Sequence, residues 1–208
     1  MEFNALLLFV VACLTINLIP GPDVIFIVSN TMKGKMANGM KAALGVGVGY
    51  FAHTLAACLG LSAIILSSAV AFSIVKWLGA AYLVYLGIQS LISMWRGGSQ
   101  IMVSDNEQPS ADVFVQGILV SILNPKVALF FLSFLPQFID VSTGSASGQL
   151  LVLGLIFSAL ATVCNVLYAT AGSWLFSRPN SNKYTRVLEG VSGVLLISLA
   201  GKIAFSDR

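Results

Sequence analysis

The chain has 208 residues, of which 57% are hydrophobic and only 9% charged, with a mean hydropathy of +0.92. Soluble domains carry about 25% charged residues, so the water-soluble enzyme folds are set aside and the chain is expected to be an all-α integral membrane protein. The net charge of +3 has no contiguous basic patch with interleaved aromatics behind it, and nucleic acid is not an expected partner.

A span needs roughly 20 residues, so this length allows about six transmembrane helices. Met1-Glu2 supplies no basic leader region and no small-x-small cleavage site follows, so no signal peptide is expected. The first apolar run, Phe3 to Ser29, is long for a straight span and is interrupted by Pro20-Gly21-Pro22-Asp23. Proline removes a backbone donor and clashes with the preceding turn, which predicts a broken helix. Lys33, Lys35 and Lys41 follow in a polar turn with Gly34 and Gly39. The second run, Ala42 to about Leu66, sets Gly45, Gly49, His53 and Ala57 on one face, a stripe suited to close helix packing. After a turn at Ser67-Ser68, the third run covers about Phe72 to Trp95, with Gly79 and Gly87 on one face and interface anchors among Trp77, Tyr82, Tyr85 and Trp95.

Residues 96–112, the most polar stretch, are expected to be a solvated linker between halves. The fourth run, Val113 to Ile139, is broken at Asn124-Pro125-Lys126. Asp140 to Gly148 is a small-residue turn. The fifth run is Gln149 to Phe176, a loop holds Arg178, Lys183 and Arg186, and the sixth run is about Val187 to Phe205. The bias of Lys and Arg puts the odd-numbered loops in the cytoplasm and both termini outside.

The halves resemble each other: Pro22-Asp23-Val24 aligns with Pro125-Lys126-Val127. Three spans per half is an odd number, so a repeat must insert with opposite topology. The expected organisation is two inverted three-helix repeats, 1–95 and 113–208, joined by a cytoplasmic linker at 96–112, with the first and fourth helices broken at proline. Each break lies about ten residues, or roughly 15 Å of helix, from the cytoplasmic end, so both are expected near the bilayer midplane.

Breaks and charges are tolerated in a membrane mainly where they line a cavity. Two converging helix N-termini attract a carboxylate, and the carbonyls freed at the preceding helix ends attract a cation. Together they suit a zwitterion, with Lys126 on an α-carboxylate and Asp23 on an α-ammonium. Two plainer readings compete. Asp23 and Lys126 could form a permanent ion pair that merely joins the halves, or both could sit at the membrane interface, since lysine snorkels. Asn17 and Asn124 are candidates for capping the freed backbone or, with Pro22 and Pro125, for touching substrate. His53, the sole histidine, is either a proton-coupling residue or a neutral imidazole bonded to a neighbouring helix carbonyl. Asn165 is expected to be interhelical glue, and Glu189 to be solvated near a cytoplasmic loop.

Pro20-Gly21-Pro22-Asp23, the Gly45/Gly49/His53 stripe, the stretch Lys76 to Leu83, Leu123-Asn124-Pro125-Lys126 and Phe134-Leu135-Pro136-Gln137-Phe138 resemble the LysE/RhtB family of amino-acid exporters. The resemblance covers nearly the whole chain outside the linker. It implies export of amino acids or related metabolites from the bacterial cytoplasm across the inner membrane, driven by the proton gradient. Asp23, Lys126 and the proline breaks would then lie in the transport path. Without a second intramembrane acid to hold a basic side chain, neutral substrates of threonine, homoserine or leucine type are expected. No cofactor or metal is called for, and a homo-oligomer is compatible with the sequence.

Alternatives are a carrier for another small metabolite or ion, an intramembrane thiol oxidoreductase, or a membrane scaffold. A metal carrier would want several hard oxygen ligands. Thiol exchange needs paired cysteines, whereas Cys13, Cys58 and Cys164 do not match across the repeat and read as packing residues.

Overall fold

The computed structural model describes residues 3–61, 69–97, 113–140, 142, 144–172 and 181–204. The Ser67-Ser68 turn, most of the 96–112 linker and the loop around Arg178 and Pro179 lie outside them. Among the described residues the regular structure is all helical: α1 Phe3–Leu18, α2 Pro22–Ala56, α3 Ala69–Trp95, α4 Val113–Ile122, α5 Pro125–Ser133, α6 Ala146–Leu167 and α7 Ser181–Ala204. A π-helical turn, Ala57–Leu61, extends α2, and a second, Tyr168–Gly172, extends α6. A 3-10 turn, Leu135–Phe138, follows α5.

Both proline breaks are present. The axes of Asn4–Leu18 and Pro22–Met32 differ by 53°, and those of Val113–Ile122 and Pro125–Phe138 by 46°. By length and composition Met36–Leu61 and Ala146–Ala171 can each cross a membrane, and the two bent pairs bring the candidate spans to four. The segment Ala80–Trp95 of α3 is a shorter apolar helix.

The turn expected around Lys33, Lys35 and Lys41 takes an unexpected form. Helical hydrogen bonding continues from Pro22 to Ala56, yet the chain reverses within it. Tyr50 bonds to Asp23, although 27 residues of straight helix would separate them by about 40 Å. Gly39 lies directly against Thr31. The reversal is so tight that only the missing side chain at Gly39 admits it. The sixth helix also starts earlier than expected, at Ser181, so Lys183 and Arg186 are helical rather than in a loop.

The glycine stripe has a definite partner. A methyl group at Gly45 would strike the carbonyl of Phe114, and one at Gly49 would strike Ser121, so α2 crosses α4 almost backbone to backbone. Gly87 of α3 meets Gly193 of α7 in the same way. In addition α2 packs on α6, α1 on both α6 and α7, and α5 on α3. With each bent pair taken as one unit, this list of packings is unchanged when the units before residue 96 are exchanged for those after residue 112.

The distribution of polarity is inside out relative to a soluble protein. Leu7, Val11 and Leu14 of α1, and Leu44, Val48 and Leu55 of α2, are exposed at helical spacing, whereas Asp23, Lys126, Asn17, Asn124 and Asn165 are buried. Such an exterior is stable only against hydrocarbon. Phe130 of α5 and Phe134, just past its end, pack as tilted rings at 4.8 Å, and Phe9 of α1 and Phe157 of α6 close round them. This aromatic packing fixes the broken helices against the rest of the bundle.

We expect Gly45→Ala to lower stability by about 2 kcal/mol, since a methyl group there meets immovable backbone. Gly60→Ala, where nothing among the described residues lies within 4 Å of an added methyl group, should change it by less than about 0.5 kcal/mol. Thermal denaturation of the detergent-solubilised protein measures both; equal effects would show that the stripe is not a packing seam.

Candidate functional site

Each proline leaves a specific carbonyl without its helical donor, namely the one four residues earlier. For Pro20, Pro22 and Pro125 these are Ile16, Leu18 and Ser121. A carbonyl stranded in a membrane interior must find another donor, and each of these does. The Lys126 ammonium, 3.4 Å from the Ile16 oxygen and 3.1 Å from that of Ile19, donates to both. Tyr168 Oη donates to the Leu18 carbonyl at 3.0 Å. His53 Nε2 lies 3.0 Å from the Ser121 carbonyl. A carbonyl only accepts, so Nε2 carries the hydrogen and Nδ1 is left as the position that can gain a proton.

The charges meet where the two breaks converge. Lys126 Nζ is 3.4 Å from Asp23 Oδ1. Asp23 is 1% exposed and Lys126 8% exposed, so the interface reading of these residues does not hold. The pair touches across the halves, as both the binding-site reading and the permanent-bridge reading require. Gly21 makes room for it: a Cβ there would lie 2.8 Å from both Asp23 Oδ1 and Lys126 Nζ. Its backbone is extended (φ −134°, ψ −175°), a conformation open to any residue, so glycine is needed for space alone.

Asp23 has a further support that the sequence reading missed. Tyr50 Oη donates to Asp23 Oδ2 at 3.2 Å, and Asn165 Nδ2 donates to Tyr50 Oη at 3.0 Å. This chain of two hydrogen bonds ties α6 to α2 and then to the first turn beyond the break. Tyr50 lies three residues before His53, and the fold-back at Gly39 was the one signal that could have pointed to it. Asn165 is interhelical glue, as expected, but glue applied to the site itself.

Asn124 caps the break as anticipated, its Oδ1 accepting from Lys126 N at 3.0 Å. Its Nδ2 is buried and has no hydrogen-bond partner among the described residues. Pro22 and Pro125 are the first residues of their helices, against the charged pair. Asn17 does not cap the first break: its amide donates back to Cys13 O at 2.7 Å, within α1. His53 packs against Phe131 with ring centres 5.6 Å apart and the planes tilted, and no hydrogen bond joins it to Asp23 or Lys126 among the described residues. Glu189 is not solvated. It is 1% exposed, and its Oε1 accepts from Ser93 of α3 at 2.8 Å; a helix-to-helix contact replaces the water expected of a loop neighbour. Cys13, Cys58 and Cys164 are free thiols. Among the described residues no cluster of three or more histidine, cysteine or acidic residues is arranged to hold a metal.

A bundle with an apolar exterior, two broken helices and opposite charges buried where the breaks meet defines a multi-pass membrane translocator. Residues 14–207 match the LysE type translocator family, and the chain belongs to that family. It is 30% identical to the uncharacterized membrane protein YrhP of Bacillus subtilis (strain 168), covering 98% of this chain and all of the relative. It is also 29% identical to a leucine efflux protein of Enterobacter sp. (strain 638), over 94% of this chain and 93% of that one. A leucine efflux protein of Salmonella choleraesuis (strain SC-B67) is 28% identical over 94% and 92%. No solved structure matches the chain.

Tyr50→Phe should leave the Asn165 amide without its acceptor and Asp23 without its neutral donor, at a cost of about 1–3 kcal/mol. Asn165→Leu in the Tyr50→Phe background should recover part of that loss, because no buried donor is then stranded. Thermal melts of the single and double variants check this, and additive losses would dissolve the proposed chain.

Proposed function

We propose that this chain is a secondary exporter of neutral amino acids, moving them out of the bacterial cytoplasm across the inner membrane. The observation that carries the reading is the buried Asp23–Lys126 pair at the junction of two broken helices. The names of the leucine efflux relatives support an apolar or small neutral substrate.

The chemistry follows from charge balance. In the empty protein the two charges neutralise each other, which lets them stay buried. A zwitterion entering between them adds no net charge. Its carboxylate pairs with Lys126 and with the vacant Nδ2 of Asn124, and its ammonium pairs with Asp23. Asn17, one turn before the break, lies at the edge of this site, and Pro22 and Pro125 shape it. The empty site is therefore closed by the same groups that bind the cargo.

Six spans in two inverted three-helix repeats, 1–95 and 113–208, with 96–112 as a cytoplasmic linker, fit the packings. The self-mapping list of helix pairs supports the repeat. So does the crosswise bonding of the stranded carbonyls: Leu18 of the first half bonds to Tyr168 of the second, and Ser121 of the second to His53 of the first. Transport proceeds by rocking one half against the other around the midplane. Proton coupling is assigned to Asp23, whose neutralisation frees Lys126, and to His53, whose Nδ1 can gain a proton without losing the Ser121 bond. The odd-numbered loops face the cytoplasm, both termini face outward, and the protein works alone or as a homo-oligomer.

Asp23→Asn and Lys126→Met should each reduce leucine or threonine counterflow in proteoliposomes by at least about a hundredfold, the scale expected for breaking a buried pair. The protein should still insert. His53→Gln should keep counterflow, which needs no gradient, but weaken uphill efflux driven by an imposed proton gradient. Full counterflow in both charge variants would remove these residues from the path.

A further inference from the structure

The Lys126 ammonium is held by more than its counter-ion. It lies 3.4 Å from Asp23 Oδ1, 3.1 Å from the Ile19 carbonyl and 3.4 Å from the Ile16 carbonyl. Two backbone oxygens at the end of α1 and one carboxylate oxygen form a three-point acceptor set, matched to the three hydrogens of a primary ammonium. The set exists because Pro20 removes the donor for Ile16. It lies at a helix C-terminus, where the dipole favours a cation. Two of its members are buried, Ile16 at 2% and Asp23 at 1% exposure, and Ile19 is half-buried. Lys126 stands in the first turn of α5, where the dipole opposes a positive charge, and its ammonium reaches away from that helix into the end of α1.

We propose that this acceptor set is the seat of the transported ammonium group, and that Lys126 is a tethered stand-in that fills it when no substrate is present. The substrate ammonium displaces Nζ, which is then free to take the substrate carboxylate. On release, Nζ returns and expels the ammonium. Lys126 thus serves as a built-in competitor as well as a carboxylate ligand. This rests on the reading of Asp23 and Lys126 as substrate residues and adds Ile16 and Ile19, through their carbonyls, as ligands. The seat takes a primary ammonium because a quaternary one has no hydrogens to give the carbonyls.

The test uses purified full-length protein and 3-methylbutylamine, which is leucine without its carboxylate. Lys126→Met empties the seat and leaves Asp23 uncompensated. Saturating amine should then raise the melting midpoint by about 5 °C and move the wild type by less than about 1 °C. The N,N,N-trimethyl analogue keeps the charge but should leave the Lys126→Met midpoint unchanged. An equal response of wild type and variant, or equal action of the two amines, would overturn the proposal. Should the variant fail to fold, leucine counterflow by the wild type decides. N-acetylleucine, with the carboxylate but no ammonium, should not compete at about hundredfold excess; competition equal to that of leucine overturns the tethered-cation role and leaves amino-acid export standing. Absence of any leucine or threonine counterflow by the wild type counts instead against the exporter reading, and the amine melts still judge the seat.

Discussion

A carbonyl that loses its helical donor is expensive in hydrocarbon, and this bundle is organised around three of them. Prolines 20, 22 and 125 strand the oxygens of Ile16, Leu18 and Ser121 in the interior of the molecule. Each is met by a side chain from a different segment of the chain, Lys126, Tyr168 and His53, and Ser121 also accepts from the Asn124 backbone N–H. The rescue explains why a lysine can be buried at 8% exposure. Its ammonium is neutralised by Asp23 and also hydrogen-bonded by two oxygens that need it. Removing one partner from such an arrangement strands the others, which is why buried pairs of this kind are costly to break, by about 3–5 kcal/mol. The same mutual dependence makes the pair exchangeable, since a ligand with both charges can satisfy every group at once.

The surrounding packing holds these groups in register. Glycines at 45 and 49 let α2 approach α4 at backbone distance, which puts His53 within reach of Ser121. The fold-back at Gly39 brings Tyr50 across to Asp23. Aromatic rings on α5, α1 and α6 fill the space beyond Lys126 with little adjustable volume. Bulk near the site is held to a minimum on one side and to a maximum on the other, and Gly21 is the clearest case of the former.

Much of this was legible in the sequence because membrane interiors punish exceptions. Pro20, Pro22, Asp23, Pro125 and Lys126 stand out in apolar runs, and their matched setting in the two halves suggested that they meet. The glycine stripe likewise predicted a close crossing. Other features depended on partners that no local pattern specifies. Tyr50 looks like any interfacial or packing tyrosine until the chain reverses at Gly39. Asn17 had the residue type and position of a cap, but within a helix its amide found the nearer Cys13 carbonyl. The apolar pattern starts the last helix near Val187 and so leaves Glu189 in water; the earlier start at Ser181 carries it inward, where Ser93 replaces the solvent. For His53 the sequence allows two roles, and its bond to Ser121 fills the carbonyl-bonded one without closing the other.

The crosswise rescue of Leu18 by Tyr168 and of Ser121 by His53 bears on how the protein is made. Synthesis runs from the N-terminus, so α1 enters the bilayer long before α6 exists. Until Tyr168 arrives, the Leu18 oxygen has no protein group to accept from, and Ile16 and Ile19 must wait for Lys126. The early segments are therefore incomplete as inserted, and the kink at Pro20–Pro22 has to be kept wet by lipid headgroups, trapped water or the insertion machinery. The hydrogen bonding of the first break is completed only by helices made later, and a chain stopped before Tyr168 would lack the donor to Leu18.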